Sequence, residues 1–270
     1  MKTGSLPGEG AGNAISETIK HTYMKKPVKR ILRGTLIFFG IIFLIVLYFG
    51  LRFWIGTRDM TPAETQKIND SVYCVKDRFV NAYIFRTGAD YVLVDAGNDA
   101  AGFKSGLDQL GISPDAVTAV LLTHTDGDHI GAMSLFPKAK VYMHRDEEQM
   151  INGKNGKFFF LRFHWKYQPY ILLNDRDTLR IGTLPVKIIH TPGHTPGSCC
   201  WLIGNDYLCT GDNTVAKNGK FVHFTGFFNV DTEIQEEALK KVPELYSTPV
   251  ILMAHHGILR QKPSAVINTK

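Results

Sequence analysis

The sequence predicts a layered α/β domain carried behind one N-terminal membrane-spanning helix. Three observations predict it. From residue 71 onward, short apolar runs of strand length alternate with helix-patterned segments. Several of those runs end directly in histidine or aspartate, as in Leu121-Leu122-Thr123-His124 and Leu252-Met253-Ala254-His255. Ahead of them, residues 34–51 contain no charged side chain and follow a tail rich in lysine and arginine.

The tail comes first. Residues 1–16 are rich in Gly, Ser and Ala and are expected to be disordered. Residues 1–33 hold seven Lys or Arg against two Glu, which is most of the chain's net charge of +6. The remainder is close to neutral, so the basic excess reads as a topology signal and not as a nucleic-acid surface. The uncharged stretch would cover about 27 Å as a helix. Flanking apolar residues extend it past Arg33 and Arg52, whose side chains can snorkel, to the hydrocarbon thickness of about 30 Å. Residues 34–55 are therefore read as a transmembrane helix, with Tyr48, Phe53 and Trp54 at the far interface. A cleaved signal peptide is the rival reading; the long basic segment ahead of the apolar core and the bulky Arg52-Phe53-Trp54 oppose it. Lys20, Lys25, Lys26, Lys29, Arg30 and Arg33 place the N-terminus in the cytoplasm. The chain is then a single-pass protein of the cell membrane whose domain lies outside.

After a linker over residues 56–70, strands are expected at 71–75, 82–86 and 91–95, and a helix at 98–110 closed by Gly111. Residues 117–122 form the strand that delivers the main motif, and a helix is expected to run from Asp128 to Phe136. Strands follow at 140–144, 178–181, 185–190, 199–203, 207–210 and 250–254, with a short helix at 145–150. Thr232 and Gln235 suggest a capping box opening a helix to Val242. Little chain remains after His256, so any final helix must be brief or missing.

The chemistry is concentrated in four places. His124, Asp126, Asp128 and His129 follow one strand at His-x-Asp-x-Asp-His spacing, so four donors can reach one small volume. His194 lies between two Pro-Gly pairs, Asp212 ends the run Leu208-Cys209-Thr210-Gly211, and His255-His256-Gly257 ends the last strand. Imidazole nitrogen and carboxylate oxygen are the donors that hold zinc and similar divalent ions.

These segments, together with Val80-Asn81-Ala82-Tyr83-Ile84 and Tyr91-Val92-Leu93-Val94-Asp95-Ala96-Gly97, resemble the metallo-β-lactamase-fold hydrolase superfamily over roughly residues 71–270. The resemblance implies a four-layer αβ/βα sandwich and a catalytic centre of two divalent metal ions, zinc first, with manganese or iron as alternatives. It implies that His124, Asp126 and His194 hold one ion. Asp128, His129 and His256 hold the other, and Asp212 bridges both. It implies hydrolysis by a metal-bound hydroxide that Asp128 orients. Most members carry histidine where this chain has Asp126. Carboxylate is the harder ligand and adds negative charge, which favours harder ions than an all-histidine site would. Asp95, His190 and His255 are expected beside ligands, positioning or packing them.

The branches differ in what they imply. His190-Thr191-Pro192-Gly193-His194-Thr195-Pro196-Gly197-Ser198 is similar to the glyoxalase II and lactonase branches, which implies a small ester, thioester or lactone substrate. Asp126 and His255-His256-Gly257 are similar to the nuclease-like domains of DNA-uptake channels, which implies a phosphodiester. The near-neutral domain argues against a long polyanion, and no nucleic-acid partner is expected. A non-catalytic metal-binding sensor ectodomain is the reading from another class.

Two features stand outside the motifs. Cys74, Cys199, Cys200 and Cys209 include no Cys-x-x-Cys pair. The last three fall on expected strands, where cysteine acts as a small buried hydrophobe. Residues 152–169 interleave Lys154, Lys157, Arg162, His164 and Lys166 with six aromatics. They are expected to pack aromatics on the core, to form a lid gripping an anionic substrate, or to touch lipid headgroups.

Overall fold

In the computed structural model, residues 10–157, 165, 169–217 and 220–260 are described. The chain divides into two units, Met1–Arg58 and Asp59–Lys270. The first holds one long helix, α1 (Gly10–Thr57). Within it, Arg30–Thr57 is long and apolar enough to cross a membrane. Leu36, Phe39, Phe43, Leu47 and Trp54 are all exposed. Residues 10–16, expected to be disordered, are helical, and Pro27 does not end the helix.

The second unit is built on alternation. Strands β1 (Gln66–Lys67), β2 (Val72–Asp77), β3 (Val80–Thr87), β4 (Asp90–Val94), β5 (Val117–Leu121), β6 (Lys140–His144) and β7 (Tyr170–Leu173) form one sheet in that order. Strands β8 (Thr178–Ile181), β9 (Leu184–His190), β10 (Cys199–Ile203), β11 (Tyr207–Gly211), β14 (Val250–Met253) and β15 (Gly257–Arg260) form the second, in the order β15-β14-β11-β10-β9-β8. A ribbon of β12 (Thr214–Lys217) and β13 (Lys220–His223) stands apart.

Side chains point to opposite faces at each step. Val72, Cys74, Tyr83, Phe85, Val92, Val94, Ala119 and Leu121 of the first sheet therefore meet Ile188, Cys199, Trp201, Cys209 and Leu252 of the second. The outer face of the first sheet, with Val75, Ile84, Leu93 and Val120, is covered by Phe103 and Leu107 of α2 (Ala100–Leu110). The outer face of the second, with Ile189, Cys200, Leu208 and Ile251, is covered by Leu239 of α5 (Thr232–Lys240) and Leu245 of α6 (Glu244–Ser247). This is the αβ/βα sandwich that the resemblance implied. All four cysteines are free and buried. Burial pushes the Cys74 and Cys200 thiols up to about 12, so they behave as hydrophobes.

The local signals for α2 hold. Asp99 caps it by accepting from Gly102 N at 2.8 Å, and Gly111 ends it at φ 68°. Two other helix expectations fail for physical reasons. The helix expected from Asp128 to Phe136 is only α3 (Gly127–Ile130) and a 3₁₀ turn at Met133–Leu135. The N–H groups of Gly131 and Ala132 donate to Gly97 O and Ala96 O, which removes them from any helical ladder. A Cβ at Gly131 would lie 2.0 Å from Asn98 O, so only glycine permits this approach. α5 is capped one residue earlier than expected: Asp231, not Thr232, accepts from Ile234 N.

Candidate metal centre

Five strand ends deliver the site. Asp95 follows β4, residues 123–129 follow β5, His194 follows β9, Asp212 follows β11 and His255 follows β14. Because β4 and β5 are parallel, as are β11 and β14, their C-terminal ends open on one edge of each sheet. Gly211 adopts φ 53°, and a Cβ there would meet Thr123 Oγ1 at 2.3 Å. The two sheets thus come close at the rim, which brings Asp212 to the residues after β5.

Two donor groups converge there. His124, His194 and Asp212 form one, and Asp128, His129 and His255 form the other. Asp212 lies between them. Its Oδ2 is 3.3 Å from His194 Nε2, and its Oδ1 is 3.3 Å from His129 Nε2 and 3.1 Å from His255 Nε2. Asp126 Oδ2 is 3.1 Å from His194 Nε2 and 3.5 Å from His124 Nε2. Asp128 Oδ2 is 3.4 Å from His255 Nε2. The structure thus brings together His124, Asp126, Asp128, His129, His194 and Asp212, but not His256. His256 lies outside both groups, its ring centroid 6.5 Å from that of Phe224, and His255 takes the place expected for it. The physical reason is that the chain leaves strand geometry after Met253. Residues 254–256 turn, with Gly257 at φ 68°, so period-two alternation no longer fixes which imidazole faces inward.

Each of the four histidines is held at Nδ1 by an outer partner. His129 Nδ1 donates to Asp95 Oδ2 at 2.9 Å. Thr123 Oγ1 gives its own proton to Asp95, so it accepts from His124 Nδ1 at 3.0 Å. His194 Nδ1 donates to Asn229 Oδ1 at 3.0 Å, and His255 Nδ1 donates to Phe79 O at 2.8 Å. In the neutral form of each ring Nε2 then carries the lone pair and faces the centre, the tautomer a metal ligand needs. His124 Nε2, His129 Nε2 and Asp212 Oδ1 are buried without a hydrogen-bond partner. Buried polar atoms in that condition call for an explanation, and a divalent ion supplies one. The residues present fit such ions.

The electrostatics agree. Burial pushes the Asp212 carboxyl up, but His255 and His129 outweigh it and hold the group well below the usual carboxylate range. Burial likewise opposes charge on His129, where Asp95, Asp212 and Asp128 prevail and raise its pKa well above the ordinary value. His255 is raised in the same way by Asp212 and Asp128. His124, which burial and the neighbouring His129 dominate, is lowered. The centre is a set of ionised carboxylates that attracts positive charge.

Four further residues shape the site beyond the expected donors. Glu147 is fully buried, and its Oε1 accepts from Thr125 N and Oγ1 at 2.8 and 2.7 Å. Its Oε2 accepts from Thr195 Oγ1 at 2.6 Å and Gly197 N at 3.2 Å, so one carboxylate ties the two loops that carry His124 and His194. Phe79 and Phe224 each stack with the ring of His255, with centroids at 5.9 and 5.3 Å, and form an apolar wall beside the donors. Lys157 donates to Asp126 Oδ2 and to His194 Nε2. Of the aromatic-cationic segment, residues 158–164 and 166–168 lie outside the described residues, and with them Arg162, His164 and Lys166. Trp165, which is described, packs against the first core.

Among the described residues a third group, His144, Asp146 and His190, also comes close. Its geometry does not suit an ion. The two rings stack at 3.7 Å and 11°, and His190 Nε2 donates to Pro196 O at 2.9 Å. Burial first, then His190, lowers the His144 pKa from 6.5 to about 4. Between those values the unfolded chain binds a proton that the folded chain refuses, so stability rises with pH across that window and falls on acidification. Denaturant midpoints at pH 7 and pH 5 should therefore drop more for the wild type than for His144→Asn. The difference should be at most about 2 kcal/mol. Equal drops would place the acid sensitivity elsewhere.

Comparison with known proteins places these features. The Metallo-beta-lactamase superfamily profile matches residues 75–269. A probable metallo-hydrolase of Methanocaldococcus jannaschii is 29% identical over 57% of this chain and 64% of its own length. An atrochrysone carboxyl ACP thioesterase of Aspergillus fumigatus is 27% identical over 53% of this chain and 31% of its own. A hydroxyacylglutathione hydrolase of Xylella fastidiosa is 35% identical over 35% of this chain and 31% of its own. The chain thus spans less than two thirds of each of these relatives. Among solved structures, a B3 metallo-beta-lactamase with an active-site glutamic acid superposes with a TM-score of 0.58. It is 19% identical, covering 76% of this chain and 85% of that one, and shows the fold alone. With the sandwich, the rim of histidines and aspartates and the profile match in agreement, the chain belongs to the metallo-β-lactamase superfamily of hydrolases.

Proposed function

We propose that the protein is a membrane-anchored hydrolase with two divalent-ion sites that cleaves a small ester, thioester or lactone. The observation that carries this reading is the pair of donor groups meeting at Asp212. The first site would be held by His124, Asp126, His194 and Asp212, the second by Asp128, His129, His255 and Asp212. Zinc, manganese and iron all suit this mixed set. Ions bound there supply Lewis acidity and bring the deprotonation of water toward neutral pH.

The chain's own residues do the rest. Asp128 is partly exposed, so its carboxylate can orient the attacking water and accept its proton. Asp95 and Phe79 O fix the rings of His129 and His255. The Phe79–Phe224 wall excludes water on one side and suits an apolar acyl group better than a phosphodiester chain. The thioesterase and hydroxyacylglutathione hydrolase among the relatives support the same bond class.

The test is a substrate panel on the full chain in detergent, loaded with zinc, manganese or iron. It would contain p-nitrophenyl esters, lactones, thioesters and bis-p-nitrophenyl phosphate. The expected result is turnover of an acyl substrate. Turnover of the phosphodiester alone would move the protein to the nuclease-like class, and turnover of none would favour a sensor. The helix Arg30–Thr57 supports an anchor, with the basic tail in the cytoplasm and the hydrolase outside. Protease added to intact cells should then digest the chain beyond Trp54, and protection of that part would reverse the orientation.

A further inference from the structure

The sequence singled out two features that the proposed function does not explain: Asp126, where the resemblance implies histidine in most members, and a lysine-bearing segment between the donor motifs. The structure joins them. Lys157 Nζ donates to Asp126 Oδ2 and lies 2.6 Å from His194 Nε2. The His194 contact has one sense only. Nδ1 already donates to Asn229 Oδ1, so Nε2 carries the lone pair and accepts from the ammonium.

A lone pair serves one partner at a time. The atoms that Lys157 engages, Asp126 Oδ2 and His194 Nε2, are two of those that would hold an ion in the first site. Lysine and ion therefore compete for the same donors. Among the described residues nothing comparable happens in the second group. His129 Nε2 has no hydrogen-bond partner, and the described contacts of Asp128 there are with His129 and His255.

The lysine is also well placed and not merely within reach. Its side chain is only 12% exposed, so its charge is not spent on solvent. Asn155 N donates to Gln149 O at 3.0 Å, and Gln149 Nε2 donates to Asp146 O at 2.8 Å. The turn bearing Lys157 is thus pinned to the same short helix, α4 (Glu148–Ile151), that follows Glu147. Glu147 in turn ties the His124 and His194 loops. A histidine at position 126 would offer neutral nitrogen to this ammonium, whereas Asp126 offers a full opposite charge. Asp126 and Lys157 make sense as a matched pair.

We propose that Lys157 is a tethered cation seated in the first site, so that the protein takes one divalent ion tightly in the second site and admits another only when the lysine withdraws. This rests on the metal-centre reading above and goes beyond it, because it assigns metal stoichiometry to a residue outside the donor set.

The experiment titrates metal-stripped full chain with manganese or zinc by calorimetry, with bound metal counted by elemental analysis after dialysis. Wild type, Lys157→Met and Lys157→Arg are compared, and circular dichroism checks that each is folded. Wild type should retain about one ion, and Lys157→Met about two, with the second binding about tenfold or more tighter than in wild type. Lys157→Arg, which keeps the charge, should stay near one.

If wild type and Lys157→Met both retain one ion, or both retain two with equal affinities, the inference is overturned while the metal centre stands. If no variant binds metal, the metal-centre reading itself fails and takes the inference with it. If Lys157→Met leaves metal binding unchanged but weakens hydrolysis of anionic substrates selectively, Lys157 grips substrate instead. Should Lys157→Met misfold, Lys157→Gln repeats the comparison with a side chain that can still hydrogen-bond to Asp126.

Discussion

Replacing Asp212 with alanine is expected to empty the centre and abolish hydrolysis. The carboxylate is 5% exposed and lies within 3.3 Å of nitrogens from three histidines on three different loops. No other described side chain reaches both donor groups in this way. Its loss removes the charge shared by the two sites and leaves His129 and His255 facing each other across a void with one fewer anion between them. The expected outcome is loss of retained metal and a fall in kcat/KM of about 10³-fold or more. Asp212→Asn is the informative companion. It keeps the volume, and the bond from Gln235 Nε2 is to the backbone O of residue 212, so the local fold survives while the charge does not. An Asp212→Ala protein that keeps its metal and its turnover would remove Asp212 from the mechanism and with it the two-site reading.

The fold was legible because its signals are local. Alternation located ten of the fifteen strands among the described residues, and the Asp99 and Gly111 caps located α2. The donor-bearing strand ends were visible for a related reason: an apolar run that stops in His or Asp at a sheet edge is itself a local pattern. What was missed depends on contacts far apart in sequence. The helix expected through Phe136 has a plausible apolar pattern, but its N–H groups are taken by Ala96 and Gly97. β7 and the β12–β13 ribbon follow stretches read as connections, and the sequence reading placed no strand there. β15 follows a turn at Gly257 that the sequence suggested only as a chain end.

The same division holds at the site. Six of the seven expected donors converge, because they belong to motifs whose spacing carries the chemistry. Glu147 was invisible because a lone glutamate in a charged helix start reads as surface. Its partner Gly197 held the only hint, since a Cβ there would lie 2.0 Å from Glu147 N. Lys157 was read as part of a cationic patch. Its direction into the Asp126–His194 pair depends on a turn anchored to α4, which no pattern of charge and aromaticity encodes.

The neighbouring histidines at the last strand end provide the sharpest test of the geometry. His255 is 3% exposed, donates from Nδ1 to Phe79 O, and presents Nε2 to Asp212 and Asp128. His256 is partly exposed, and its ring lies at 70° to that of Phe224. His255→Ala should therefore remove one ligand of the second site. That should weaken metal retention there by at least about 10–100-fold, the scale seen when even an outer partner of a ligand is lost, and cut kcat/KM strongly. It should also remove the ring with which Phe79 and Phe224 stack. His256→Ala should leave metal retention within about twofold of wild type, since His256 belongs to neither donor group. Because the two positions are adjacent, a general loss of the β14–β15 turn would damage both variants alike, and thermal denaturation would report it. Metal retention lost in His256→Ala and kept in His255→Ala would reverse the assignment. It would mean that the turn at residues 254–256 exchanges its two imidazoles when an ion binds.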